Sequence, residues 1–179
     1  SGLAAVISIM QYFSEATALK SFIIWSMGSL GNVTGMQLRI ISFSVLPLLV
    51  ISLFFSKPLN GLMLGEEYAV TMGLNIKRSR LMILATTSVL AGTITAFCGP
   101  IGFIGIAVPH MTRFLIGRSD HRILLPLTML TGMVILVMSD LISQLPGSER
   151  VLPINAVTSL IGIPVVIWLV ILNRKAQAL

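Results

Sequence analysis

The sequence has 179 residues, of which 55% are hydrophobic and only 10% are charged. Soluble domains carry about a quarter of their residues as charges, so this composition excludes a water-soluble globule and also an intrinsically disordered chain. The single cysteine, Cys98, excludes an intrachain disulfide and a metal cluster built from cysteines. The net charge of +6 raises nucleic acid as a partner, but in a membrane protein basic residues must first be assigned to loops.

The first segment, residues 1–13, is apolar from its start. It has neither an initiator methionine nor a basic region, so it does not have the pattern of a secretory signal. A helix of this length is about 20 Å long, too short to cross a hydrocarbon core of about 30 Å. We therefore expect the chain to be a piece of a longer protein that begins within a helix.

Five further apolar segments are predicted to be membrane helices: residues 40–56, 81–98, 103–116, 123–145 and 151–172. Pro47 lies inside the first of the five and is expected to kink it. Residues 99–102, Gly-Pro-Ile-Gly, interrupt the uncharged stretch that follows Leu81. The sequence therefore predicts an all-α, polytopic transmembrane helix bundle of about five to six membrane segments, a single domain over residues 1–179.

Basic residues divide unevenly between the connections. Three would lie on one side, Lys20, Arg39 and Arg150, and nine on the other, Lys57, Lys77, Arg78, Arg80, Arg113, Arg118, Arg122, Arg174 and Lys175. Because cytoplasmic loops carry the excess of Lys and Arg, the nine are predicted to be cytoplasmic, which requires segment 103–116 to return to that side. This assignment accounts for most of the positive charge and disfavours a nucleic-acid partner. The outer segment 15–39 is expected to contain an interfacial helix anchored by Trp25.

Small residues recur every three or four positions in two predicted spans. They are Ala85, Ser88, Gly92, Ala96 and Gly99 in one span, and Thr128, Gly132 and Ser139 in the other. In lipid, small residues let helix backbones approach closely. Both stripes are therefore expected to pack against protein in a compact bundle.

The connector, residues 57–80, contains a short predicted helix over residues 65–73. Glu66 and Glu67 lie at its positive N-terminal end, and Gly73 suits a left-handed C-terminal cap. One interpretation is a solvated loop whose basic residues only fix the topology. The other is a docking helix, because Ala69, Met72 and Gly73 form a small-sided apolar face that could enter a groove of another protein.

Three features of the later spans also allow two interpretations each. Residues 99–105 are rich in glycine, which suits tight packing, but non-helical backbone at membrane depth also suits the wall of a water-filled path. His110 and Arg113 share a helical face, but no second histidine or acid accompanies them, which disfavours a proton relay or metal site. Asp140 is an ionisable residue late in a span, and we interpret it first as a capping or pairing group near Gln144.

Three blocks resemble the FecCD-like permease subunits of type II ABC importers, which take up ferric siderophores, haem and cobalamin. The first is Lys57-Pro58-Leu59-Asn60, Leu64-Gly65-Glu66-Glu67-Tyr68-Ala69 and Met72-Gly73-Leu74; the second is Gly99-Pro100-Ile101-Gly102-Phe103-Ile104-Gly105, Val108-Pro109-His110, Arg113, Gly117, Asp120-His121-Arg122 and Leu124-Leu125-Pro126; the third is Leu152-Pro153-Ile154-Asn155-Ala156-Val157-Thr158, Gly162, Pro164 and Ile167-Trp168-Leu169. Permeases of this family have ten membrane helices. The resemblance implies that this chain is their C-terminal part, from within the fifth helix to the tenth.

The resemblance also implies roles for individual residues. Coupling to an ATPase falls to Gly65, Glu66, Glu67, Ala69, Met72, Gly73 and Leu74; lining of the path, or packing beside it, to Gly99, Gly102, Phe103, Gly105, Pro109, His110 and Arg113; and docking of a binding protein to Gln144, Glu149 and Arg150. Family members often carry an arginine where this sequence has Gln144, and Arg150 is the expected substitute. No residue is assigned to catalysis or to a metal.

The partners implied by the resemblance are an ABC ATPase subunit, a periplasmic or lipoprotein substrate-binding protein, a second permease copy in a homodimer, and membrane lipid. The expected location is the bacterial cytoplasmic (inner) membrane, in several passes. ATP is expected to be used by the ATPase, with no cofactor bound by this subunit.

Two other classes of function are weaker fits. A secondary transporter would have broken helices with an ion-coupling acid at the midplane and often inverted repeats, whereas Asp140 lies near a span end and no repeat is evident. A membrane enzyme is disfavoured because the sequence has no Walker motif, no nucleophile with a paired base and no HExxH.

Overall fold

The computed structural model describes residues 2–31, 33–144 and 152–177, and within these ranges every regular element is an α-helix. In chain order the helices are α1 (Gly2–Tyr12), α2 (Ala16–Ser26), α3 (Gly35–Leu53), α4 (Ser56–Met63), α5 (Glu66–Thr71), α6 (Ile76–Cys98), α7 (Ile104–Ile116), α8 (His121–Ser143) and α9 (Ile154–Gln177). The all-α prediction is confirmed.

Three helices of the described ranges are long and apolar enough to cross a membrane: α3 with 19 residues, and α6 and α8 with 23 residues each. The helices α1 and α7 and the first part of α9, Ile154–Pro164, are apolar but shorter. The predicted segments match these helices, and α3 runs through Pro47 without ending there.

The long helices begin where polar side chains cap them, a few residues before the apolar runs. Thr34 and Gln37 form a reciprocal capping box at the start of α3. The side chain of Asn75 accepts a hydrogen bond from the backbone N–H of Arg78 at the start of α6. The first turns of α6 therefore carry the basic residues that the sequence pattern had assigned to the connector.

The sequence pattern does not predict helix α4, because it places residues 57–63 in the connector after the span 40–56. This helix forms because Pro58 lies in its first turn, where a backbone N–H is not needed for helical hydrogen bonding. Gly61 is buried at the centre of α4, which gives this short helix a flat side.

The bundle has two packed groups: α7, α8 and α9 contact one another, and α3 packs against α6, while α4 contacts α5 and α8. Val108, Thr112, Ser139 and Thr158 are almost fully buried between α7, α8 and α9. Of the small-residue stripe of α8, Ser139 is thus buried, and Thr128 and Gly132 are half-buried.

The stripe of α6 behaves differently. Ala85, Ser88, Gly92 and Ala96 are exposed, and a Cβ added at Gly92 would meet nothing within 4 Å. Within the described residues these four do not pack inside the bundle, because α3 lies against another face of α6, whereas Gly99, the fifth residue of the predicted stripe, is buried.

The two ends of the bundle differ in composition. The basic end comprises residues 56–80 and 113–122, and it carries Lys57, Lys77, Arg78, Arg80, Arg113, Arg118 and Arg122. The glycine end comprises residues 25–31, 98–103, 139–144 and 152–155. Hydrogen bonds of Asn60 join the parts of the basic end, and those of Asn155 join parts of the glycine end. Helix α7 therefore returns to the end at which α6 begins, as the charge division required.

Candidate functional site

The connector helix predicted over residues 65–73 is present as α5. Gly65, at a φ of 109°, precedes it, and Glu66 and Glu67 occupy its first turn. At its end the backbone N–H of Leu74 donates to the carbonyl of Ala69 at 3.0 Å, and that of Gly73 donates to the carbonyl of Val70 at 2.9 Å. This pair of bonds is a Schellman motif, and it needs the left-handed Gly73, whose φ is 78°.

Helices α4 and α5 pack against each other as a hairpin, which we call the coupling hairpin (residues 56–74). Ala69 has 0% exposure, and a Cβ added at Gly61 would overlap the Leu74 side chain and lie 3.9 Å from the Cβ of Ala69. The assignment of Ala69 to a partner-facing surface therefore needs correction: its small side chain allows close approach within this chain.

The exposed face of α5 is formed by other side chains. Met72 is 61% exposed and Tyr68 is 52% exposed. Glu66, which is also exposed, forms an ion pair with Arg80 of α6. The surface available to a partner therefore consists of the Tyr68 ring and the Met72 side chain, with Glu66 at its edge.

Asn60 joins the coupling hairpin to the start of α8. Its Nδ2 donates to Oδ1 of Asp120 at 2.6 Å, and its Oδ1 accepts the backbone N–H of His121 at 2.9 Å. The same Oδ1 lies 2.7 Å from Nδ1 of His121. We call these three residues the Asn60 clamp.

Asp120 is also the N-cap of α8, because its Oδ1 accepts the backbone N–H of Arg122 at 3.0 Å. That N–H and the amide of Asn60 hold the pKa of the Asp120 carboxyl below its ordinary value, since both hydrogen bonds favour the charged form. Asp120 is therefore an ionised acceptor at neutral pH.

The glycine-rich block is fixed at the glycine end by close backbone contacts. Gly99 has a φ of 77°, and a Cβ there would overlap the backbone carbonyl of Trp25 and lie 3.0 Å from the Cα of Gly28. The backbone N–H of Ser29 donates to the carbonyl of Cys98 at 2.9 Å. Tight packing is thus the role that the structure gives to Gly99.

Asn155 holds the irregular residues after Gly99. Its Nδ2 donates to the carbonyl of Pro100 at 2.6 Å, and its Oδ1 accepts the N–H of Gly102 at 2.9 Å. Phe103 follows with a φ of 63°, unusual for a residue with a side chain. Its Cβ would lie 2.8 Å from a Cβ added at Gly162 of α9.

The remaining residues of the predicted path are on α7. Gly105, His110 and Arg113 are exposed, and Pro109 lies inside the helix. Over residues 2–31, 33–144 and 152–177 the structure has no group of three or more His, Cys, Asp or Glu side chains arranged to hold a metal. Whether these α7 residues line a path stays a prediction.

The residues predicted to dock a binding protein are only partly within the described ranges. Gln144 lies on a cleft of about 580 Å³ at the glycine end, and its Nε2 donates to Oδ2 of Asp140 at 2.7 Å. This bond confirms the pairing interpretation of Asp140. Glu149 and Arg150 lie outside the described residues.

Sequence reasoning gave no role to Asn60 or Asn155. Asp120 carried a usable signal, since an aspartate directly before an apolar run predicts a helix N-cap. Asn60 is a polar residue between Leu59 and Gly61 in a short apolar stretch, which marks it as a candidate for a specific hydrogen bond but does not identify the partner.

The family follows from comparison with known proteins: residues 1–172 match the FecCD transport family. The chain belongs to this family. The hemin transport system permease protein HmuU of Yersinia pestis is 36% identical over 174 residues, which is 97% of this chain and 52% of that protein. The vitamin B12 import system permease protein BtuC is 36% identical in Vibrio cholerae, over 96% of this chain and 51% of that protein.

The BtuC protein of Klebsiella pneumoniae is 40% identical over 91% of this chain and 49% of its own length. This FecCD chain therefore spans about half the length of the curated relatives it matches. A solved metal-chelate type ABC transporter in an inward-facing conformation has a TM-score of 0.87 and 32% identity, over 94% of this chain and 56% of that one. The family resemblance and the multi-pass membrane architecture are thus confirmed.

Proposed function

We propose that the protein is the membrane-spanning permease subunit of an ABC importer and that its cargo is an iron chelate, haem or a cobalamin-type molecule. FecCD membership supports this, as do relatives named for hemin and vitamin B12 transport and the metal-chelate type neighbour. The alternative, a secondary transporter, would use an ion-coupling acid. The bond between Asp140 and Gln144 disfavours that role for Asp140.

The proposed assembly contains a second permease copy, two ABC ATPase subunits and an external substrate-binding protein, in the bacterial cytoplasmic membrane. The nine basic residues of one side would face the cytoplasm and the ATPase. The permease itself would catalyse no reaction and bind no cofactor, and ATP would be hydrolysed by the ATPase. Nucleic acid has no part in this assembly.

One observation carries the coupling role, namely that residues 56–74 fold into a packed hairpin between the spans α3 and α6. The coupling hairpin continues directly into α6, and it is hydrogen-bonded to α8 through Asn60. Closure of the ATPase against the exposed face of α5, which includes Tyr68 and Met72, would displace the hairpin. The attached spans would then tilt as nearly rigid bodies between inward-open and outward-open states.

The test uses the full-length permease and its ATPase. Met72→Trp enlarges an exposed side chain of α5 and should overfill the ATPase groove. Overpacking costs about 1 to 3 kcal/mol, so the dissociation constant for the ATPase should rise about 5- to 150-fold. Met36→Trp is the matched control, because Met36 is 69% exposed and lies in the first turn of α3, at the end of that helix far from the coupling hairpin.

Uptake of hemin and of vitamin B12 is then followed in proteoliposomes that contain the ATPase and the binding protein. ATP-dependent uptake that is lost in Met72→Trp and kept in Met36→Trp is the expected result. Uptake that needs a proton or sodium gradient and no ATP would contradict the importer proposal. Unchanged ATPase binding by Met72→Trp would remove α5 from the interface.

A further inference from the structure

The Asn60 clamp uses both polar groups of one carboxamide to join two helices that are distant in sequence. The Asn60 amide donates to Asp120, and its carbonyl oxygen accepts the backbone N–H of His121, across separations of 60 and 61 residues. A contact of 2.7 Å between that oxygen and Nδ1 of His121 would be repulsive between two acceptors. Nδ1 therefore carries the proton and donates to Asn60, so both polar groups of the carboxamide have partners.

Capping of α8 does not explain the presence of Asn60. Asp120 accepts the backbone N–H of Arg122 without help from Asn60. The clamp residues are only half-buried at the basic end, where water can satisfy a freed donor or acceptor. What Asn60 adds is a directed connection between α4 and α8.

That connection matters because the coupling hairpin is not adjacent to α8 in the chain and contacts α8 only non-covalently. The coupling hairpin is joined by the chain to α3 before it and to α6 after it, whereas α8 begins at His121, 47 residues after the hairpin ends at Leu74. Resting on the proposed importer function, we propose that Asn60 is a positioning residue that passes displacement of the coupling hairpin to α8. Its partners are the Asp120 carboxylate and the start of α8.

Charge exchange gives a specific test in the full-length transporter. Asn60→Asp sets a carboxylate against the Asp120 carboxylate, and like charges at this separation repel. Asp120→Asn keeps an oxygen that accepts from both Asn60 and Arg122. This substitution alone should therefore change uptake per ATP hydrolysed very little. In the double variant the amide at position 120 donates to the carboxylate at position 60, which still accepts from His121.

We expect uptake per ATP hydrolysed to fall about 5- to 10-fold in Asn60→Asp, a coupling size usual for contacting residues, and to recover within about 2-fold of wild type in the double variant. ATP hydrolysis and assembly with the ATPase should persist in the single variant. Unchanged coupling in Asn60→Asp, or a double variant as poor as the single one, would overturn the proposal. Loss of assembly in both Asn60→Asp and Asn60→Ala would assign Asn60 to folding and also overturn it.

A readout without cargo separates this proposal from the importer function. Hydrogen exchange is compared with and without the ATPase bound to a non-hydrolysable ATP analogue. Wild type should show changes in peptides covering residues 66–72 and 121–130, and Asn60→Ala should keep the first change and lose the second. A change at 121–130 that persists in Asn60→Ala contradicts the role of Asn60. No change at 66–72 in wild type contradicts the coupling role of the hairpin itself.

Discussion

The two ends of the bundle are each held by an asparagine, but the partners differ. At the glycine end Asn155 bonds to two backbone groups, the carbonyl of Pro100 and the N–H of Gly102. At the basic end Asn60 bonds to the Asp120 side chain and to the first residue of α8. A backbone partner cannot be exchanged by mutation, whereas a side-chain partner can. The glycine end is therefore a fixed framework. At the basic end, the hydrogen bond between Asn60 and Asp120 can be removed and rebuilt by substituting the two side chains.

The physical reason for this difference is the backbone that each asparagine contacts. Irregular backbone near the membrane must have its polar groups satisfied by protein, and Asn155 does this for Pro100 and Gly102, between Cys98 and Ile104 where the helices are interrupted. Asn60 instead joins two regular helices, α4 and α8, so its geometry is free to serve coordination between elements.

The largest effect is expected from Gly99→Ala, which tests the fixed framework. The new Cβ would overlap the backbone carbonyl of Trp25, which cannot rotate away as a side chain can. With φ 77° and ψ 173°, Gly99 has a conformation essentially restricted to glycine, which costs other residues about 1 to 3 kcal/mol, and overpacking adds about 1 to 3 kcal/mol. Thermal and denaturant unfolding of the purified full-length protein should show the loss.

Gly105→Ala is the control for Gly99→Ala. Gly105 lies in the first turn of α7, has no positive φ, and has nothing within 4 Å of an added Cβ. Alanine should be neutral there or stabilise by up to about 1 kcal/mol, because it is the better helix former. Equal losses at the two glycines would show that the close contact with Trp25 is not what fixes the glycine end.

Ala69→Trp should give the next largest effect and tests how tightly the coupling hairpin is built. Ala69 has 0% exposure, so the indole must displace α4 from α5 at a cost of about 1 to 3 kcal/mol or more. Limited proteolysis between residues 57 and 80 should become faster. Val70→Trp places the same ring next to it at a position that is 58% exposed, and proteolysis there should be unchanged.

The span boundaries were largely predictable, whereas the construction of the hairpin was not. The apolar runs, interrupted by residues 99–102, predict the order of the apolar helices, and α3, α6 and α8 reach the length of about 20 residues that lipid imposes. The sequence pattern predicts that Ala69 faces a partner, whereas in the structure it faces inward, against α4. A small residue such as Ala69 allows close approach to any neighbour, and the sequence does not say whether that neighbour is a partner or Gly61 of the same chain.

The two asparagine contacts could not be predicted for a different reason. Asn60 and Asp120 are 60 residues apart, and Gly102 and Asn155 are 53 residues apart. Local pattern identifies Asp120 as a cap and places Asn155 at the start of a helix, but pairing depends on how the helices pack. Only the folded arrangement of α4, α7, α8 and α9 brings these groups within hydrogen-bond distance.

Asn155→Asp sharpens the contrast with the exchangeable clamp and should have a moderate effect. One carboxylate oxygen still accepts the N–H of Gly102, but the other now faces the Pro100 carbonyl, where the amide had donated. The lost bond and the unpaired acceptors should cost about 1 to 3 kcal/mol, measured by denaturant unfolding. Asn155→Ala should lose a comparable amount, since it frees both backbone groups. A variant as stable as wild type would mean that water replaces the amide and that the glycine end is not fixed framework.

The smallest effect is expected from Glu66→Gln, which breaks the ion pair with Arg80 at the basic end. The two side chains are 59% and 56% exposed, and exposed pairs of this kind contribute about 0 to 1 kcal/mol. At low ionic strength the variant should lose a few tenths of a kcal/mol, and the difference should vanish in about 1 M salt, where the screening length is about 3 Å. Glu67→Gln, its neighbour in the first turn of α5, is the control for the general loss of an acidic charge from the helix N-terminus. A larger loss for Glu66→Gln that survives high salt would show that the ion pair, and not only packing, fixes the coupling hairpin to α6.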